Sequence, residues 1–155
     1  MPKSNDNMKV GGFLIIRRYR NGELVWQSDP MPNKVVMSSG HGRNLIVRQL
    51  AGDTTYGVEI DSAELGDNNT AAVDADTDLI GPIVTAIPIT NKTAVDDELT
   101  VDVFVADGNL PDDTYEEFGL RIGARMFCRV IISPAYTKAS GEDTLFTYTM
   151  SLASS

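Results

Sequence analysis

The chain is short of several residue types, and each shortage closes off a class of protein. A single cysteine, Cys128, among 155 residues rules out an intramolecular disulfide. The fold is therefore not a small stapled scaffold, and packing must hold it. A single histidine, His41, would have to fill every imidazole role near neutral pH. Positive charge is scarce as well: 13 Lys and Arg face 22 Asp and Glu, a formal net charge of −9. Such a field repels phosphate backbones and anionic lipid, so nucleic acid and membrane are not expected partners. No apolar run approaches the ~20 residues that span a bilayer as a helix. The first ten residues also lack the charged-then-apolar layout of a secretion signal.

What is present is the balance of a folded domain. Apolar residues make up 42% and charged residues 23%, unlike the low-apolar mixture that leaves a chain unfolded. The length suits one core. Residues 1–9 are polar and read as a flexible N-terminal arm, and residues 10–155 as a single β-sandwich domain.

Residues 10–19 are rich in aromatic and β-branched side chains and run into Asn21-Gly22, a pair that tolerates the positive φ of a type I′ hairpin turn. Residues 23–27 then return, with Leu24 and Trp26 on one face. Asp29-Pro-Met-Pro32 interrupts regular structure, and a short strand follows at 34–37. Ser38-Ser-Gly-His-Gly42 leads into one helix at 43–51, with Leu45, Ile46 and Leu50 sharing a face and Gly52 as the stop.

Further strands are expected at 57–65, 83–89, 99–105, 116–122, 126–133 and 144–152, with an acidic loop over 66–78. Alternation is cleanest at Leu99, Val101, Val103 and Val105, with Thr100 and Asp102 facing the other way. Met126, Cys128, Val130 and Ile132 form a second stripe, and Phe146, Tyr148, Met150 and Leu152 a third. The fold class that follows is mainly β: an antiparallel, jelly-roll-like sandwich with one short α-helix at about 43–51.

Few residues stand out for chemistry. His41 sits before the helix with no Gly-x-Ser-x-Gly elbow anywhere in the chain, and it reads as a helix-entry residue. Cys128 alternates with apolar neighbours and reads as a small buried hydrophobe, with Arg129 on the opposite face. Asp74, Asp76 and Asp78 have the spacing of calcium ligands. Leu79 and Thr85, however, stand where an EF-hand needs glycine and glutamate, and Asx turns in a solvated loop are the plainer reading. Ser39-Gly-His-Gly-Arg43 is only loosely a phosphate cradle. Arg17, Arg18 and Arg20 are split across two strand faces and are assigned to intersubunit salt bridges. No catalytic residue and no cofactor are expected.

Two stretches carry a resemblance. Asn44-Leu-Ile-Val-Arg-Gln-Leu-Ala-Gly52 is followed by Ala63-Glu-Leu-Gly-Asp-Asn-Asn-Thr-Ala-Ala-Val-Asp-Ala-Asp-Thr-Asp-Leu79. Together they resemble small virion proteins of tailed bacteriophages, in which a helix ending Leu-Ala-Gly precedes Ala-Leu-Gly-x-Gly-x-Thr-Ala-Pro and then Asp-Thr-x-Leu. Asn69 stands where that family often has glycine. Phe118-Gly-Leu-Arg-Ile122 and the strand after it are similar to the family's later strands. The resemblance implies a non-enzymatic β-sandwich subunit, a capsid decoration or accessory protein, or else a tail-tip or baseplate component. Its partners would be copies of itself and a major capsid or tail protein, and its location the virion after synthesis in a bacterial host cytoplasm. The rival class is a calcium- or glycan-binding module.

Overall fold

The computed structural model describes residues 8–154. Most of the expected N-terminal arm lies outside them, and Met8 and Lys9, read as its end, already belong to the first strand. Twelve strands and one α-helix follow in order. The first five strands are β1 (Met8–Arg20), β2 (Glu23–Gln27), β3 (Met31–Val35), β4 (Met37–Ser38) and β5 (His41–Gly42), and α1 (Arg43–Leu50) comes next. Then come β6 (Ser62–Gly66), β7 (Pro82–Pro88), β8 (Asn91–Val95), β9 (Glu98–Val105), β10 (Thr114–Ile122), β11 (Arg125–Thr137) and β12 (Asp143–Ser154).

Every strand pairing is antiparallel. The strands run in the order β7-β6-β10-β11-β3-β1-β12-β9-β8, with β2 also on β1. The architecture is thus the mainly β, antiparallel one that the alternation predicts, with a single short α-helix. Its two layers are halves of one curled sheet, and β3 is the hinge strand. Met31 and Pro32 pair with Leu14 and Phe13 of one half, whereas Asn33 to Val35 pair with β11 of the other.

The apolar stripes meet between the layers. Phe118 of β10 stacks on Phe146 of β12 with centroids 5.4 Å apart and an interplanar angle of 22°, and Tyr136 meets Phe146 edge-on at 6.3 Å. Leu14, Ile16, Val101, Val103, Leu120, Val130 and Tyr148 complete the centre, all fully buried. Each such side chain contributes about 1.5–3 kcal/mol through removal from water.

Local readings need correction where tertiary context intervenes. Pro32 lies inside β3, since its missing N–H falls at the changeover between partners where no ladder bond is required. Leu50 is 83% exposed, because α1 sits on the rim and buries only Leu45 fully. The strand expected at 57–65 is confined to β6, Ser62–Gly66. β8 went unread: all five of its residues are exposed, so no alternation marks it, and Asp96 at φ 53 turns it into β9. Met126 does not share the face of Cys128. The register steps from Leu120↔Cys128 to Arg121↔Met126, a bulge at Phe127 that swings Met126 to the outer side, where it packs with Val36 and Leu79.

Candidate functional site

The outer face of β6, β10 and β11 holds a dense network of buried and half-buried polar side chains. Register places Glu117, Gly119 and Arg121 beside Arg129 of β11 and Glu64 of β6. Alternation alone would give these side chains to solvent, yet Arg129 and Glu117 are both fully buried. The acidic loop covers them. Arg129 Nε donates to Glu117 Oε2 at 2.9 Å, and its Nη1 donates to the Thr70 carbonyl at 2.7 Å. Glu117 in turn accepts from the backbone amides of Gly81 at 2.7 Å and Ile80 at 3.2 Å. One buried ion pair therefore grips both ends of the loop. Gly66 is required beneath it, because a Cβ there would collide with Glu117 Oε1 and the Gly81 carbonyl. Arg121 donates to Glu64 at 2.9 Å as a second pair on the same face.

This network accounts for the three aspartates. Asp74 pairs with Lys34 at 2.9 Å and Arg43 at 2.7 Å, and the Lys34 hydrogen bond holds its carboxyl below the ordinary value. Asp76 lies 3.4 Å from Arg129 and accepts from the Val73 amide at 2.9 Å. Asp78 pairs with Arg121 at 3.1 Å. They do not converge, each being drawn to different cations. Among the described residues no group of three His, Cys, Asp or Glu side chains is placed to hold a metal. The D-x-D-x-D spacing here tethers a loop.

His41 is buried in β5, and its Nδ1 accepts from the Met126 amide at 3.0 Å. Burial first, then the charges of Arg125 and Arg121, lower its pKa below 6.5 against a weaker opposing pull from Asp78. The neutral ring thus splices the β4–β5 corner to β11, as a packed entry residue would. Because the folded pKa is depressed, the folded state resists protonation that the unfolded chain accepts near pH 6.5. The stabilisation is whole above that pH and is lost as pH falls below it toward the lower folded value. Urea midpoints should fall from pH 7 to pH 5, and the part of that slope due to His41 should vanish in His41→Gln. An unchanged slope in the variant would remove the assignment.

Gly42, at φ 51 and ψ −124, caps α1 with no side-chain hydrogen bond. A Cβ on it would run into the Val36 carbonyl. The glycines around His41 therefore permit a tight backbone crossing and are not a phosphate cradle. Asn44 Oδ1 accepts instead from the Gly40 amide at 2.8 Å.

Cys128 is fully buried beside the Tyr148 hydroxyl, and burial pushes its thiol up to about 12. A thiol held protonated is a poor nucleophile. The basic patch pairs within the chain. Arg18 and Arg20 each lie 3.2 Å from Glu142, and Arg17 donates to Gln27 at 3.0 Å and Thr147 at 3.2 Å. Lys138, another cation missed in the sequence, is almost wholly buried between Asp107 and Asp112. Arg129 inside the otherwise apolar run 126–132, with a long acidic loop earlier in the chain, was the one available sign of the buried Arg129–Glu117 pair.

No protein-family model, curated protein or solved structure matches the chain.

Proposed function

We propose that the chain is a non-enzymatic structural subunit of a tailed-phage virion, a capsid decoration or accessory protein that assembles with copies of itself and a neighbouring shell or tail protein. The observation that carries this reading is the open sheet. β7 and β8 end the strand order, and β8 exposes all of Asn91–Val95 while its outer edge has no strand partner among the described residues. Bare edges recruit further strands, and pairing across subunits covers them. Val95, at 61% exposure, supplies apolar area on β8 itself. The ionisable groups that sequence reasoning singled out are occupied in holding loops and corners, which suits a rigid building block. The stretch from α1 through the acidic loop also carries the resemblance to phage virion proteins.

Mass spectrometry and cryo-electron microscopy of purified particles test the proposal, with light scattering of the isolated subunit as a first step. The expected result is a fixed copy number on the particle, with a tail-tip or baseplate position as the alternative placement. A strictly monomeric protein absent from particles would sink it.

A further inference from the structure

Trp26 is the chain's only tryptophan, and with Pro134 it forms a ridge between two clefts, lining both. On one side Tyr136 stacks on the indole at 5.7 Å and the Arg18 guanidinium lies 4.8 Å from its centroid. On the other side opens a cleft of about 180 Å³. Its floor is Met31 and Ile132, both almost fully buried, and its rim carries Gln27, Asp29 and Ser133.

The cleft is a product of strand geometry. β2 pairs with β1 from Arg17 onward, whereas β3 takes the same edge at Phe13 and Leu14. Opposite, the β10–β11 register passes from Glu117↔Ile131 to Tyr115↔Tyr136, so residues 132–135 bow out of the ladder around Pro134. Two strand edges diverge, and the space between them is walled by regular structure. Ser28 fixes the near wall, exchanging bonds with Ile16: its Oγ accepts from the Ile16 amide at 2.9 Å and its amide donates to the Ile16 carbonyl at 2.8 Å.

We infer that this cleft binds a single neutral hexopyranose unit of a glycan. An indole wall over an apolar floor matches the C–H face of a pyranose, which an aromatic π-face covers well. The rim matches the hydroxyl edge. Gln27 Oε1 already accepts from Arg17, which leaves its amide hydrogens as donors. The Asp29 carboxylate is exposed, has no ion pair among the described residues, and serves as acceptor. One donor and one acceptor side by side suit adjacent hydroxyls, each of which both gives and takes a hydrogen bond. The volume lies below the roughly 300–1,000 Å³ of sites for drug-sized ligands, which limits the occupant to one ring. Asp29 at the rim and the net charge of −9 repel sialic and uronic acids. Few ligand atoms and a shallow site place the affinity in the millimolar range.

The inference goes beyond the virion reading and is tested apart from it. The isolated full chain is titrated with the methyl glycosides of glucose, galactose, mannose and N-acetylglucosamine, with sialyllactose and a proline-rich peptide as comparisons. Fluorescence follows Trp26, the sole indole. A saturating change with at least one neutral glycoside, weakened at least tenfold in Asp29→Ala at unchanged melting temperature, is the expected result. A flat response to all four neutral sugars, a response untouched by Asp29→Ala, or saturation by the peptide or the acidic sugar alone would overturn the assignment. Sugar binding by a chain absent from particles would leave the cleft standing and remove the virion proposal, and the converse holds equally.

Discussion

Glu117→Ala is expected to lower the unfolding free energy by about 3–5 kcal/mol, the usual penalty for stranding one partner of a buried ion pair. Glu117 has no other cation among the described residues, and Arg129 keeps only the longer contact to Asp76, at 3.4 Å. Arg129 and Glu117 are both fully buried, so the guanidinium left behind cannot reach water without lifting the acidic loop. The loop also loses the acceptor for the Ile80 and Gly81 amides, two further unsatisfied groups at a covered site. Against a total stability of about 5–15 kcal/mol for an ordinary domain, that loss leaves a marginal protein. The urea midpoint should drop with little change in slope, and protease should cut the loop sooner. Combining Glu117→Leu with Arg129→Met should recover part of the loss by removing the orphaned charge. It should not recover all, because the Thr70 carbonyl and the Gly81 amide still lack their partners. A loss under about 1 kcal/mol for Glu117→Ala would mean that the loop opens readily and that the pair is not a clamp.

Phe118→Ala should cost about as much, about 3–5 kcal/mol, for an unrelated reason. Phe118 is fully buried and joins the two halves of the curled sheet through its stack on Phe146. Truncation leaves a cavity that neither layer can readily close, because each is held in place by its own ladder of strand hydrogen bonds. In a chain of this length such a loss lowers the melting temperature by about 2–4 °C for each kcal/mol. A double-mutant cycle with Phe146→Ala should return a coupling of about 0.5–1.5 kcal/mol, the portion that belongs to ring–ring contact and not to burial. Additive losses would show that the two rings merely share the core.

Most strands could be read from the sequence because their signal is local. Thr100 and Asp102 alternate with Val101 and Val103, and the alternation survives wherever one face meets the core and the other meets water. Asn21-Gly22 adopts φ 50 and 80 as its hairpin chemistry requires. β8 had no such signal, since with both faces wet its side chains are under no constraint to alternate. The helix was located correctly but its buried face was overestimated. Leu50 obeys helical spacing and still points away from the domain, because spacing says which residues share a face and not whether anything lies against it.

The candidate sites followed the same division. That His41 and Cys128 are packing residues was legible from their neighbours. That Asp74, Asp76 and Asp78 belong to separate ion pairs was not, since their cations come from β3, α1, β10 and β11. Nor was the Trp26 cleft, which exists only because β2, β3 and the Pro134 bulge draw apart.

By itself, then, the amino-acid order determined an acidic chain of antiparallel strands without intramolecular disulfides, the turn after β1, the place of the helix, and most of the apolar stripes that face inward. The tertiary structure alone decided that one sheet curls into both layers, that a loop makes the outer face of β10 and β11 a second interior, and that Met126 changes sides at a bulge. The physical reason is range. Periodicity and turn chemistry act over a few residues, whereas burial is fixed by what packs on the far side, and for Arg129 that is a loop some sixty residues earlier in the chain.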